Sequence, residues 1–154
     1  MDEEGVTASA VISYACKLEK CSSAFYRRLA QICAAHGETF LIFAKENERN
    51  SELITRTYQE TITDAIEACF AFEGLNLDDR WIRMTLEENS ECNDGLTKAL
   101  ELESKASEFY SEAAKKSGSL LATIPQVLKR VAETRNKRKS KLLSMIEKTG
   151  LTSA

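Results

Sequence analysis

Residues 15–30 read ACKLEKCSSAFYRRLA, and residues 99–114 read ALELESKASEFYSEAA. Laid over one another with a shift of 84 residues and no gap, the segments agree at seven of sixteen positions: Ala15/Ala99, Leu18/Leu102, Glu19/Glu103, Ser23/Ser107, Phe25/Phe109, Tyr26/Tyr110 and Ala30/Ala114. Self-similarity at a long period marks a repeated supersecondary unit, and apolar residues recurring every three or four positions mark helix. The chain is therefore expected to use one helical hairpin twice, with the first helix equivalent to the third and the second to the fourth.

Outward from this repeat, the punctuation is helical. Proline occurs once and glycine six times, so helix breakers are scarce and their positions are informative. Gly37, Gly74, Gly118 and Gly150 close apolar-periodic stretches, where glycine accepts a left-handed turn at little cost; Gly37 also opens the next stretch and Gly95 opens the third. Pro125 falls where a helix's first turn tolerates it. The spacing predicts helices at 6–35, 38–72, 95–117 and 124–148, with a kink in the second near Thr61-Ile62-Thr63, where β-branched residues crowd. Short links around Gly37 and after Gly118 make antiparallel neighbours; the long stretch from Gly74 to Asp94 can return the chain along the whole bundle. The expected fold is all-α: a ferritin-like four-helix bundle, two antiparallel hairpins joined by a long crossover, in one domain over 1–154.

Composition agrees. The chain has 154 residues, a net charge of −3 and 43% apolar residues, enough to offset ordering entropy and exclude a disordered chain. The longest uncharged runs, Gly5–Cys16 and Ser117–Leu128, have 12 residues, short of the ~20 a membrane helix needs. The start, Met1-Asp2-Glu3-Glu4, is acidic where a signal peptide is basic, so a cytoplasmic protein is expected. Five cysteines (Cys16, Cys21, Cys33, Cys69 and Cys92) form no CxxC pair, and are read as reduced core or surface thiols. The single histidine, His36, excludes any site that needs two imidazoles from one chain.

Each helix carries an apolar stripe, and each stripe is interrupted by polar residues at mid-length. The first runs Ile12, Ala15, Glu19, Ser22, Tyr26, Leu29, Cys33; the third runs Leu96, Ala99, Glu103, Ala106, Tyr110, Ala113. The second passes from Phe40 and Phe43 through Asn47 and Asn50 to Ile54 and Tyr58. The fourth passes from Ile124, Leu128 and Val131 through Arg135 and Arg138 to Leu142 and Met145. Interruptions in all four stripes, under an internal repeat, predict a buried polar layer across the waist of the bundle.

The chain resembles the rubrerythrin-type branch of the ferritin-like proteins over nearly its whole length. Leu18-Glu19 with Phe25-Tyr26, and Leu102-Glu103 with Phe109-Tyr110, look like that family's first and third helices. The segments 44–50 and 132–138 lie where the family has Glu-x-x-His. The resemblance implies a di-iron centre held by one Glu from each of two helices and a Glu-x-x-His from each of the others, able to reduce peroxide or oxygen or to handle iron. It also implies a homodimer. No rubredoxin-like iron module is expected, since its cysteine pairs are missing.

The departures fall on the metal ligands. Glu19 and Glu103 match; Asn47 and Asn50 replace one Glu-x-x-His, and Arg135 and Arg138 replace the other. Arginine has donors only and stays protonated, so it cannot ligate a cation. The six positions sum to zero charge, and guanidinium forks suit buried carboxylates, so the arginines are read as standing in for metal, with Tyr26 and Tyr110 placed to donate into the same layer. The expected function is non-catalytic, a binding, scaffold or regulatory protein without cofactor. The alternative is a rubrerythrin-type di-iron oxidoreductase or iron-binding protein using Glu19, Glu103 and a borrowed acid such as Glu46.

Other signals are weaker. Seven basic residues lie between Lys129 and Lys141, but the acidic chain lacks a basic, aromatic-interleaved surface, so neither nucleic acid nor membrane is an expected partner. The acidic stretch from Glu73 to Asp94 is expected against the basic fourth helix, with Trp81-Ile82 packed on the bundle.

Overall fold

The computed structural model describes residues 6–61, 71–72, 86, 90–117 and 123–149. Four helices make up almost all of them: α1 Ala8–Ile32, α2 Gly37–Thr61, α3 Cys92–Ser117 and α4 Ile124–Thr149. They form a four-helix bundle, α1 lying along α2 and α3 along α4, closed by α1–α3 and α2–α4 contacts. The all-helical expectation needs one addition. Val6–Thr7 (β1) and Ala71–Phe72 (β2) pair antiparallel, Val6 opposite Phe72 and Thr7 opposite Ala71.

Local chemistry sets the ends. Thr7 caps α1, its Oγ1 accepting from the Ala10 N–H at 3.1 Å. A single 3₁₀ turn, Ala34–His36, carries the chain from α1 into α2. Pro125 is the second residue of α4, where its missing N–H matters least. Lys115, Lys116 and Lys148 place positive charge on the last turns of α3 and α4, as the helix dipole favours.

Three expectations are corrected. The expected second helix does not run on to residue 72, since Ala71–Phe72 is a strand; residues 62–70, including most of the expected kink, lie outside the described residues. Gly37 is not a left-handed cap. It is helical, with φ −57° and ψ −41°, and it is wanted for space: a Cβ there would stand 3.3 Å from the Ala30 carbonyl oxygen. Gly95 does not open α3 but lies within its first turn, where a Cβ would come within 2.2 Å of Leu29 Cδ1.

The cysteines supply a fourth correction. Cys33 and Cys92 are joined in a disulfide with Cα atoms 5.0 Å apart, against the expectation of five reduced thiols. Close packing of Gly95 on Leu29 brings the start of α3 beside the end of α1, which seats the two thiols together. Cys16 and Cys21 are free and half-buried; Cys69 lies outside the described residues, as do Trp81-Ile82 and most of the expected crossover.

The stripes face one core. Ile12, Ala15, Leu29, Phe40, Phe43, Ile54, Leu96, Ala99, Leu128, Val131 and Leu142 are buried in a single cluster. Fully burying a large apolar side chain is worth ~1.5–3 kcal/mol, so this face holds the helices together. No helix among the described residues is long and apolar enough to cross a membrane.

Candidate functional site: a buried arginine–carboxylate layer

Halfway along the bundle the apolar core gives way to charge. Glu19, Asn47, Glu103, Arg135 and Arg138 are all buried, with Arg135 at 0% and Arg138 at 2% exposure; Asn50 is half-buried. α1 and α3 deliver the two carboxylates, α2 the amides and α4 the guanidiniums, each because helical periodicity sets its residue on the core face.

Arg135 is the keystone. Its Nη1 donates to both Glu103 oxygens at 3.0 Å, and its Nη2 donates to Glu19 Oε2 at 2.8 Å and to Ser22 Oγ at 3.0 Å. One guanidinium thus bridges two carboxylates from different helices. Arg138 serves the α2 side: Nη2 donates to the Phe43 carbonyl at 2.9 Å and to Glu46 Oε1 at 3.0 Å, and Nη1 to Asn47 Oδ1 at 3.2 Å and Glu103 Oε2 at 3.4 Å. Its Cζ also lies 4.6 Å from the Phe43 ring centre and 5.5 Å from that of Tyr26, a cation–π setting. Asn47 Nδ2 donates to Glu19 Oε1 at 2.6 Å, and Asn50 Nδ2 reaches the same oxygen at 3.4 Å.

The tyrosines cross over. Tyr26 of α1 donates to Glu103 of α3, and Tyr110 of α3 donates to Glu19 of α1 at 2.5 Å. The 84-residue repeat is thereby written into the hydrogen bonds. A second matched pair flanks the layer: Ser23 Oγ donates to Glu48 and Ser107 Oγ to Asn136, each at 2.8 Å. Each tyrosine also opens an aromatic cluster. Tyr26 stacks on Phe40 with ring centres 5.8 Å apart, and Tyr110 meets Phe109 edge-on at 5.0 Å.

Electrostatics follow from this geometry. Burial, the largest single influence on Glu19, pushes its carboxyl up. The Arg135 charge, with hydrogen bonds from Tyr110, Arg135 and Asn47, outweighs it and holds Glu19 below its ordinary value. Burial likewise opposes the charge of Arg135, but Glu103 and Glu19 overcome it and fix the guanidinium as a cation. Burial, then the neighbouring carboxylates, raise both Tyr26 and Tyr110 well above the ordinary phenol range, so both stay protonated donors. The Nε–H of each arginine finds no acceptor among the described residues.

The site residues read from the stripes therefore meet in one network. Ser22, the Phe43 carbonyl and the Ser23–Glu48 and Ser107–Asn136 pairs were missed as parts of it. Ser22 and the two matched serines were visible on the stripe and in the repeat; a backbone carbonyl leaves no signal in sequence.

The same network tests the di-iron expectation. Glu19 Oε1 already accepts from two amides, Glu19 Oε2 from Arg135 and Tyr110, Glu103 Oε1 from Arg135, and Glu103 Oε2 from Tyr26 and both arginines. Every carboxylate oxygen of the pair already accepts a hydrogen bond from the layer, and two fixed guanidiniums repel a metal. Glu46, the borrowed acid of the alternative reading, is turned to Arg138. The residues present do not fit a di-iron centre. Among the described residues no group of three or more His, Cys, Asp or Glu is placed to hold a metal ion. No protein-family model, curated protein or solved structure matches the chain.

Proposed function

We propose that the chain is a rubrerythrin-like member of the ferritin-like class in which an arginine–carboxylate layer takes the place of the metal pair, and that it acts as a non-catalytic binding, scaffold or regulatory protein. The observation that carries this reading is Arg135 bridging Glu19 and Glu103 at 2.8–3.0 Å with no exposure to solvent. A guanidinium cannot change oxidation state, give up its proton near neutral pH or bind a ligand oxygen as an acid centre. The layer so built has structural capacity and no evident redox chemistry.

The placement of the ends supports the bundle type. β2 is paired beside the N-terminal end of α1, whereas Cys92 is bonded to Cys33, one residue past the C-terminal end of that helix. A 25-residue helix is about 37 Å long. Phe72 and Cys92 therefore lie near opposite ends of α1, which supports a long crossover between two antiparallel hairpins.

The test is elemental analysis of protein purified without chelator, followed by titration with ferrous iron in the absence of oxygen. The expected result is no stoichiometric iron, manganese or zinc, and no saturable uptake of iron. About two iron ions per chain, the complement of a di-metal centre, would overturn the reading in favour of an oxidoreductase.

A further inference from the structure

The groove where α2 faces α4 holds a cleft of about 460 Å³. Three arginines line it: Arg49 and Arg56 from α2 and Arg130 from α4. All three are exposed, and none of their guanidiniums has a hydrogen-bond or ion-pair partner among the described residues. Outside the cleft, Arg27 is taken up by Glu48 at 2.7 Å. Two acids share the cleft, Glu46 and Glu52. Glu46 is drawn inward to Arg138 at 3.0 Å. Among the residues lining the cleft, three guanidiniums thus face two carboxylates, one of which is turned inward.

Like charges gathered on one concave surface repel each other and focus a positive potential, and an anion relieves both effects. Arg49 and Arg56 lie seven residues apart on one helix, about 10 Å along its axis, and Arg130 approaches from the facing helix. Long arginine side chains from three such points can converge on one ion with several oxygens. The planar fork of each suits phosphate oxygens in pairs. The Thr134 hydroxyl and the Asn50 amide, which also line the cleft, add uncharged polar groups.

We propose that this cleft is a binding site for a small, multiply charged phosphate compound, held by Arg49, Arg56 and Arg130. The three arginines lie outside the Glu19–Glu103–Arg135 core, although Asn50 and Glu46 on the cleft wall also contact the layer.

Inorganic pyrophosphate is the probe, titrated into the full chain by calorimetry at physiological ionic strength. Side-chain Nε–H signals of the arginines are followed in parallel by NMR. The expected result is saturable 1:1 binding, with shifts centred on Arg49, Arg56 and Arg130. Each Arg→Gln change at these positions should weaken binding by about tenfold or more, as loss of a charge-assisted hydrogen bond does. Glu52→Gln should tighten it, and Arg27→Gln should leave it unchanged. These residues are exposed, so circular dichroism should show all variants folded. Absence of saturable binding, or wild-type affinity in the Arg49→Gln, Arg56→Gln, Arg130→Gln triple variant, would overturn the proposal. Tighter binding of a nucleic-acid duplex than of pyrophosphate would overturn the small-molecule assignment.

Discussion

Glu19 sits in a place where a carboxylate should not survive as an anion, and it does so because four donors from three other helices converge on it. Its folded-state pKa is depressed, so the unfolded chain binds the proton more readily than the native one. The stability this contributes is present in full above the unfolded value of about 4.3 and is lost as pH falls through the lower native value. Urea unfolding from about pH 6 down to about pH 3 should show stability falling below that point. Glu48 shifts in the same direction through hydrogen bonds from Arg27 and Ser23, but it lies at the surface. Glu19→Gln is therefore the diagnostic variant: it should flatten the acid limb. An acid limb as steep as that of the wild type would mean that Glu19 is not the titrating group. At this scale the sequence was informative because helical spacing alone shows a charge on a core face. It did not show which arginine serves which carboxylate. Arg135 reaches both glutamates, and Arg138 turns mostly to α2.

At the scale of elements, the stripes and the short Gly37 link were enough to order four helices, since each rests on local periodicity. The disulfide was out of reach. Cys33 and Cys92 are 59 residues apart, and nothing in either neighbourhood announces the other; they meet where the start of α3 packs beside the end of α1, with Gly95 against Leu29. The glycines were read as conformational devices, but Gly37 and Gly95 serve close approach, a property of the partner helix rather than of the glycine's own neighbours. A bond closing a loop of this length restricts the unfolded chain strongly, typically by ~2–4 kcal/mol. The Cys33→Ser, Cys92→Ser double variant should lose about that much stability. Dithiothreitol should lower the melting temperature of the wild type and leave that of the double variant unchanged. Equal sensitivity of both proteins to reductant would show that this pair does not carry the effect.

Across the whole molecule, the 84-residue repeat becomes a reciprocal exchange, Tyr26 to Glu103 and Tyr110 to Glu19, centred on one guanidinium. Both halves of the bundle therefore depend on a layer whose buried charges balance only as a set. Removing one member leaves its partners charged and desolvated, whereas removing all of them removes the need for pairing. The measurement that tests this most directly is urea unfolding of Arg135→Ala beside the fourfold variant Glu19→Leu, Glu103→Leu, Arg135→Met, Arg138→Met. Arg135→Ala is expected to lose ~3–5 kcal/mol, and the fourfold apolar variant less than the sum of its single changes, the loss that remains coming from the buried Tyr26, Tyr110 and Asn47 donors left without acceptors. Single losses of about 0–1 kcal/mol that simply add, as exposed ion pairs give, would contradict a buried, coupled layer at the waist of the bundle.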